Sequence, residues 1–288
     1  MIDEWAPEYY RVLLQVIVVV AIMLVVAIVL VVGRDRLARA RAEWLGRLRS
    51  IAPIVAVLAA VLLFNSAARQ IGYDLSWLIG WGLTDSIHDL EGEFVLWVQS
   101  YATPQATAYF SFVYVYGYVF LLVFPLVAYF ALSRMRPLRE LLTAYTLNYV
   151  LGLVCYVLVI AYGPRNVMPV EALLYETYPQ YQHLTRQVNR NTNVFPSLHT
   201  SLAATAALLA YRTRDVYPSW YYLAVALAAS VTVSTVYLGI HWAVDVVAGL
   251  ALAVVSVALS VRLVENWSVS ELVESISSRT QRLSRHRR

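Results

Sequence analysis

The chain has 288 residues, 60% of them apolar and 14% charged, against about 45–50% and about 25% in soluble domains; so few charges cannot cover a water-facing surface of this size. All 22 cationic side chains are arginine and the single cysteine is Cys155, which excludes lysine Schiff-base chemistry, a P-loop, an internal disulfide and a paired-cysteine redox or zinc site. The net charge of +4 points to no nucleic acid, because the positions of the arginines account for it in another way.

About 20 apolar residues are needed for a helix to cross a hydrocarbon core of roughly 30 Å. Residues 12–33 supply the first span, and without a basic start or a small-residue cleavage site they read as a helix kept in the chain. In residues 34–49, Leu37, Ala40, Trp44 and Leu48 recur at helical spacing, the pattern of an amphipathic helix lying in the interface. Residues 51–66 form a second, short span. Residues 65–106 then mix Asp74, Asp85, Asp89, Glu91 and Glu93 with Trp77, Trp81 and Trp97, which fits a cap or re-entrant segment at the membrane surface. Spans three and four are 107–132 and 141–162. A long polar loop, 163–198, leads to spans 196–211, 219–239 and 242–264 and a basic tail. In lipid the backbone has to satisfy its own hydrogen bonds, so every span is read as helix. The expectation is an all-α integral membrane protein with about seven transmembrane helices.

Seven spans put the two termini on opposite sides. Of the 22 arginines, 17 fall in the loops after spans 1, 3 and 5 and in the tail; the other side holds Arg11, Arg69, Arg165, Arg186 and Arg190. By the positive-inside rule the N-terminus is outside and the C-terminus cytoplasmic. The tail reads as a topology signal in contact with anionic lipid.

His199, His241 and Asp245 lie where spans 5 and 7 begin, all on the outer side, and ionisable residues there are functional candidates. His241 and Asp245 are four residues apart, the spacing of one helical face. Asp245 can then hold one ring nitrogen of His241 and leave the other as base or nucleophile. Two histidines and a carboxylate could also hold zinc, but the i, i+4 spacing suits a hydrogen-bonded dyad better. Arg165, Arg186 and Arg190 sit in the loop before His199, and guanidinium groups match phosphate oxygens bidentately. Pro196 opens span 5, and the backbone N–H groups of Ser197, Leu198 and His199 form an anion-stabilising helix start.

The residues Pro196-Ser197-Leu198-His199, followed by Ser234 and, after Tyr237-Leu238-Gly239-Ile240, by His241-x-x-x-Asp245, resemble the second and third signatures of the type 2 phosphatidic acid phosphatase superfamily, P-S-G-H and S-R-x5-H-x3-D. Gly163-Pro164-Arg165-Asn166-x-x-Pro169 is similar to a degenerate first signature, K-x6-R-P. The resemblance covers roughly residues 50–265. It implies a six-helix phosphatase-type core with one extra N-terminal helix, and a division into 1–49 (first helix and basic segment), 50–265 (catalytic membrane domain) and 266–288 (basic tail). It implies that His241 attacks phosphorus, Asp245 orients it, His199 protonates the leaving oxygen, and Arg165 and Ser197 bind phosphate. No metal and no cofactor are implied. The sequence departs from the pattern at three points: it has no lysine, Leu198 replaces a glycine, and Thr235 replaces an arginine. Arg190, six residues before Pro196, is the candidate substitute. These departures resemble the inositol phosphorylceramide synthase branch.

Three functions follow. The first is a lipid phosphatase or phosphotransferase of the plasma membrane acting on lipid phosphates or polyprenyl diphosphates through a phosphohistidine on the outer face. The second is a head-group transferase in which an alcohol such as inositol replaces water. The third is a seven-helix transporter or receptor, which predicts polar residues spread through the midplane rather than gathered at one interface. The expected partners are a lipid phosphate, water or an alcohol, and membrane lipid; a homo-oligomer is compatible with the sequence.

Overall fold

Six stretches are helical and apolar over a length that crosses a membrane: Glu8–Val32, Trp44–Ser66, Pro104–Phe130, Arg136–Leu158, Pro218–Tyr237 and Ala243–Glu265. The computed structural model describes residues 6–182 and 194–266; Arg186, Arg190 and the basic tail lie outside the described residues. Helix α1 (Ala6–Ala27) runs on through a π turn, Ile28–Val32, and stops at Gly33, whose φ of +81° only glycine adopts freely. The segment expected to lie in the interface is helical but breaks at Glu43, into α2 (Arg34–Ala42) and the start of α3 (Trp44–Ile79). The expected cap at 65–106 holds the end of α3, then α4 (Thr84–Glu91) and α5 (Phe94–Gln99). A two-residue strand, β1 (Trp81–Gly82), pairs in parallel with β2 (Val159–Ile160).

The third span starts at a well-made cap: Thr103 Oγ1 accepts the Ala106 N–H at 3.2 Å and Pro104 fills the first turn. It comprises α6 (Pro104–Phe112), a π turn (Val113–Gly117) and α7 (Tyr118–Phe130). Then come α8 (Arg136–Leu158), the short helix α9 (Leu173–Thr177), α10 (Leu198–Arg212), α11 (Pro218–Tyr237) and α12 (Ala243–Asn266).

The fifth expected span, 196–211, is α10, a helix of 15 residues, roughly 22 Å long at 1.5 Å per residue. It packs against α7, α8, α11 and α12. A helix enclosed by its neighbours has no lipid thickness to match. Ala203, Ala206 and Ala210 are fully buried, and such small residues let neighbouring helices approach closely where lipid supplies no hydrophobic drive. Two of its polar residues are paired within the core. Ser201 Oγ donates to Asn148 Oδ1 of α8, and Asn148 Nδ2 donates to Thr205 Oγ1 at 3.0 Å. The outer helices differ: α1 and α3 leave Leu30 and Leu63 about three-quarters exposed (76% and 73%), the surface of a lipid-facing helix. One face of α1 still packs on the core through Val12, Val16 and Val20.

The arginine-rich loops gather at one end of the bundle. Arg36 lies over the Tyr217 ring at 4.9 Å, Arg47 donates to Phe130 O at 2.6 Å and to Leu132 O, Arg136 pairs with Glu265, and Arg212 pairs with Glu140. Helices α10 and α12 both begin at the opposite end, which is where His199 and His241 are.

Candidate active site

The turn between α11 and α12 carries His241. Gly239 has φ +69°, and a Cβ there would sit 2.5 Å from Val170 Cγ1 and 3.0 Å from Glu171 O; the turn needs glycine for both its conformation and its room. The N–H groups of Ile240 and His241 both donate to Thr235 O at 3.0 Å. Trp242 is fully buried and its Nε1–H donates to Tyr162 O at 2.8 Å. His241 therefore lies two residues ahead of α12, in the entry turn, and not on the helix as the i, i+4 argument pictured.

The contact that argument expected is nevertheless made. His241 Nδ1 lies 3.2 Å from Asp245 Oδ2; His241 is 6% exposed and Asp245 fully buried. The same Oδ2 accepts the Trp242 N–H at 2.9 Å. Asp245 thus caps its own helix and holds the imidazole at once. A proton on Nδ1 directed at this carboxylate leaves Nε2 with its lone pair.

Ser197 N-caps α10: its Oγ accepts the Thr200 N–H at 3.3 Å. Its own N–H donates to Asp245 O at 3.0 Å. That N–H, expected to face an anion, is used instead to join the two helix starts. The helix itself begins at Leu198, two residues after Pro196. A Cβ on Gly249, one turn beyond Asp245, would meet Ser197 O at 2.5 Å, so the two backbones touch. Leu198 fills space opened by Gly152 of α8, where a Cβ would lie 2.7 Å from Leu198 Cδ2. The glycine missing from the second signature is thus matched by a glycine on the facing helix.

His199, the second residue of α10, has its ring stacked on Tyr114 (centroids 4.6 Å apart, planes at 21°) and against Tyr118 (4.4 Å, 40°). These tyrosines lie in and just after the Val113–Gly117 π turn, and such turns inside α-helices are frequent at functional sites. Arg165 belongs to a 3-10 turn, Pro164–Asn166. Its Nε donates to Gly239 O at 2.8 Å, and its guanidinium lies 5.1 Å from the centre of the Tyr175 ring. The anchored Nε places it two residues from His241, and its Nη groups make no hydrogen bond among the described residues. The backbone at Gly163 is as close, since a Cβ there would be 3.0 Å from Ile240 O. His241, Asp245, Ser197, His199 and Arg165 therefore stand on segments in direct contact. Among the described residues no three of His, Cys, Asp and Glu are grouped to hold a metal ion.

Several contributors carried no motif. Glu91, at the end of α4, accepts the Ala243 N–H on Oε2 at 2.9 Å and the Val244 N–H on Oε1, capping α12 from outside. Burial pushes its carboxyl up; the two backbone hydrogen bonds oppose that, and nearby Asp245 adds to it. Gln99 joins three segments: Nε2 donates to Glu171 O at 3.0 Å and Tyr237 O at 3.1 Å, while Oε1 accepts the Glu171 N–H. The signals available for them in the sequence were only an acidic and a polar residue in a segment read as a surface cap.

Neither the curated proteins nor the solved structures contain a match to this chain. Residues 86–259 match the PAP2 superfamily. That stretch is more than half of the chain, begins within α4 and carries every segment of the site from Glu91 to Asp245. With this match over the same residues that form the His–Asp site, the chain belongs to the PAP2 superfamily.

Proposed function

We propose that this membrane protein is a lipid phosphatase or phosphotransferase that works through a phosphohistidine on His241. The observation that carries the reading is the buried His241 Nδ1–Asp245 Oδ2 contact of 3.2 Å. Asp245 holds the Nδ1 proton, so Nε2 attacks phosphorus. The N–P bond forms as the bond to the leaving oxygen breaks, and His199 gives that oxygen its proton. His199 then takes a proton from water or an alcohol, whose oxygen attacks phosphorus and releases His241. Arg165, anchored through Nε, offers its Nη groups to the phosphate oxygens; Arg190 is the candidate for the signature arginine replaced by Thr235. Residues 50–265 form the catalytic unit. The arginine-rich end faces the cytoplasm, so the site opens outward at the plasma membrane. The substrate places its phosphate at the interface and its tails in the bilayer, as lipid phosphates and polyprenyl diphosphates do.

A second reading, transfer of phosphoinositol to a lipid alcohol, draws on Leu198 and Thr235. Leu198 is seated against Gly152, and with Thr235 in place of the signature arginine one phosphate clamp is missing; these are the departures that resemble the synthase branch.

The test incubates the purified chain with a panel of lipid phosphates and, separately, with a phosphoinositol lipid and a lipid alcohol. Free phosphate is expected from the wild type, and His241→Ala is expected to abolish it while still folding. Wild-type turnover by that variant would overturn the nucleophile assignment. Phosphoinositol moved onto the lipid alcohol in the second mixture, with no free phosphate from the first, would select the second reading.

A further inference from the structure

We propose that the end of the bundle opposite His199 carries a second, non-catalytic site, which binds a phosphate group. Arg212 is the last residue of α10 and His199 its second, a separation of roughly 20 Å along the helix. A cavity of about 190 Å³ opens beside Arg212, lined by Arg134, Arg136, Glu140, Tyr129 and Thr213 among others. Three guanidinium groups thus face one carboxylate.

The charges in the cavity are unevenly committed. Glu140 has a side chain only 4% exposed and accepts Arg136 Nε at 2.7 Å and Arg212 Nε at 3.1 Å. The other arm of Arg136 reaches Glu265. This pairing keeps Arg136 and Arg212 beside the cavity and leaves it with an excess of positive charge. Arg134 makes no hydrogen bond or ion pair among the described residues. Helix α8 starts at the same place: Met135, its N-cap, supplies no side-chain hydrogen bond to the first turn. The positive end of a 23-residue helix therefore adds to the field. A positioned pair of guanidiniums, a third without a partner and an uncapped helix start are together the donor set of a phosphate site. The ligand is a phosphate mono- or diester group, brought either by an anionic lipid of that leaflet or by a small soluble phosphate.

Thermal unfolding of the full chain in phosphatidylcholine nanodiscs tests this, with ionic strength held constant by chloride. One arm titrates inorganic phosphate; the other replaces part of the lipid with phosphatidylglycerol. Arg165→Ala, at the other end of the bundle, is run beside Arg134→Ala and Arg134→Lys. The wild type and Arg165→Ala are expected to gain thermal stability in at least one arm. Arg134→Ala is expected to need about tenfold more ligand, the effect of losing one charge-assisted hydrogen bond, and Arg134→Lys to recover part of it. A response to phosphatidylglycerol alone names a lipid head group as occupant, and a response to phosphate alone names a free anion. The proposal is overturned if neither arm shifts the wild type beyond chloride, if Arg134→Ala responds like the wild type, or if Arg165→Ala abolishes the response. The last outcome would assign phosphate binding to the histidine end.

Discussion

Helices α10 and α12 are held together differently at their two ends. At the histidine end the contacts are backbone on backbone: Ser197 N–H on Asp245 O at 3.0 Å, and Gly249 against Ser197 O with no room for a Cβ. At the arginine end the ion pairs run through α8 by long side chains: Arg212 of α10 on Glu140 of α8 and Arg136 of α8 on Glu265 of α12, with both arginines more than a third exposed (40% and 47%). Backbone contacts cannot be relieved by rotating a side chain, so they fix positions to tenths of an ångström. Solvated ion pairs tolerate displacement and contribute little net free energy. The rigid end is therefore the one where His241, Asp245 and His199 need fixed relative positions. The lesson inverts a common expectation. Adding one methyl group at the first end is therefore expected to cost more than deleting a whole guanidinium at the second.

The sharpest test is Gly249→Ala. On helix propensity alone, alanine in a helix interior stabilises by roughly 1 kcal/mol relative to glycine. Here the new Cβ would meet a backbone oxygen at 2.5 Å, and the helices have to part. The expected result is a loss of about 2–3 kcal/mol, in the range of core overpacking, with turnover falling further than stability because Asp245 moves with the helix. Chemical denaturation in detergent measures the first and phosphate release the second. A stabilised variant would break the comparison.

Gly152→Ala probes the same end where the neighbour is a side chain, and a smaller effect is expected. The added Cβ meets Leu198 Cδ2 at 2.7 Å, a group that can partly turn away. Alone, the substitution should destabilise by about 1 kcal/mol. Combined with Leu198→Ala, which removes the obstacle at its own cost of about 2–3 kcal/mol, Gly152→Ala should become stabilising by helix propensity. A double-mutant cycle reads that change of sign. Two additive effects would mean that Leu198 is not seated against Gly152.

This pairing also marks the limit of what the sequence makes legible. The long spans were readable because lipid leaves the backbone no alternative to helix, and the arginine-rich loops because they share one end. The His241–Asp245 contact was legible from spacing, although the local structure that makes it is a glycine turn followed by a capped helix start. Helix α10 was read as a full span because its composition is apolar; that it is short and enclosed depends on its neighbours. Leu198 read as a departure from a signature, and its matching glycine lies 46 positions earlier on another helix, with nothing local to announce it. Glu91 was legible only as an acid in a surface segment, because its role is to accept amides some 150 positions away. Contacts made through the backbone leave no side-chain pattern, which is why the rigid end was the harder one to see.

Glu91 extends the comparison to a group that titrates. Glu91→Ala removes the cap on Ala243 and Val244 and should destabilise by about 1 kcal/mol near pH 4. Glu91→Gln asks a different question. The folded state raises the Glu91 carboxyl above its ordinary 4.5, mainly through burial. Its favourable contribution is therefore complete below the unfolded value and is lost as pH rises through the higher folded one. The wild type and Glu91→Gln should match near pH 4, and the wild type should lose stability relative to the variant as pH approaches neutrality. Melting curves of the two proteins across that range give the difference directly. A wild type that instead gains on the variant with rising pH would mean that the two amide hydrogen bonds outweigh burial.

The smallest effect belongs to the arginine end. Arg212→Ala strips a guanidinium from a buried carboxylate, a change that costs about 3–5 kcal/mol when the remaining charge is left buried and unpaired. Glu140 is not left so. Arg136 Nε stays at 2.7 Å, and the cavity beside it admits water to the carboxylate. Arg212 is itself 40% exposed, so its removal gives up an interaction already weakened by solvent. The expected loss is below about 1 kcal/mol, with phosphate release unchanged, since α10 stays positioned by Ser197 at its other end. A cost as large as that of Gly249→Ala would mean that Glu140 depends on both arginines together, and that the two ends of α10 are held with equal rigidity.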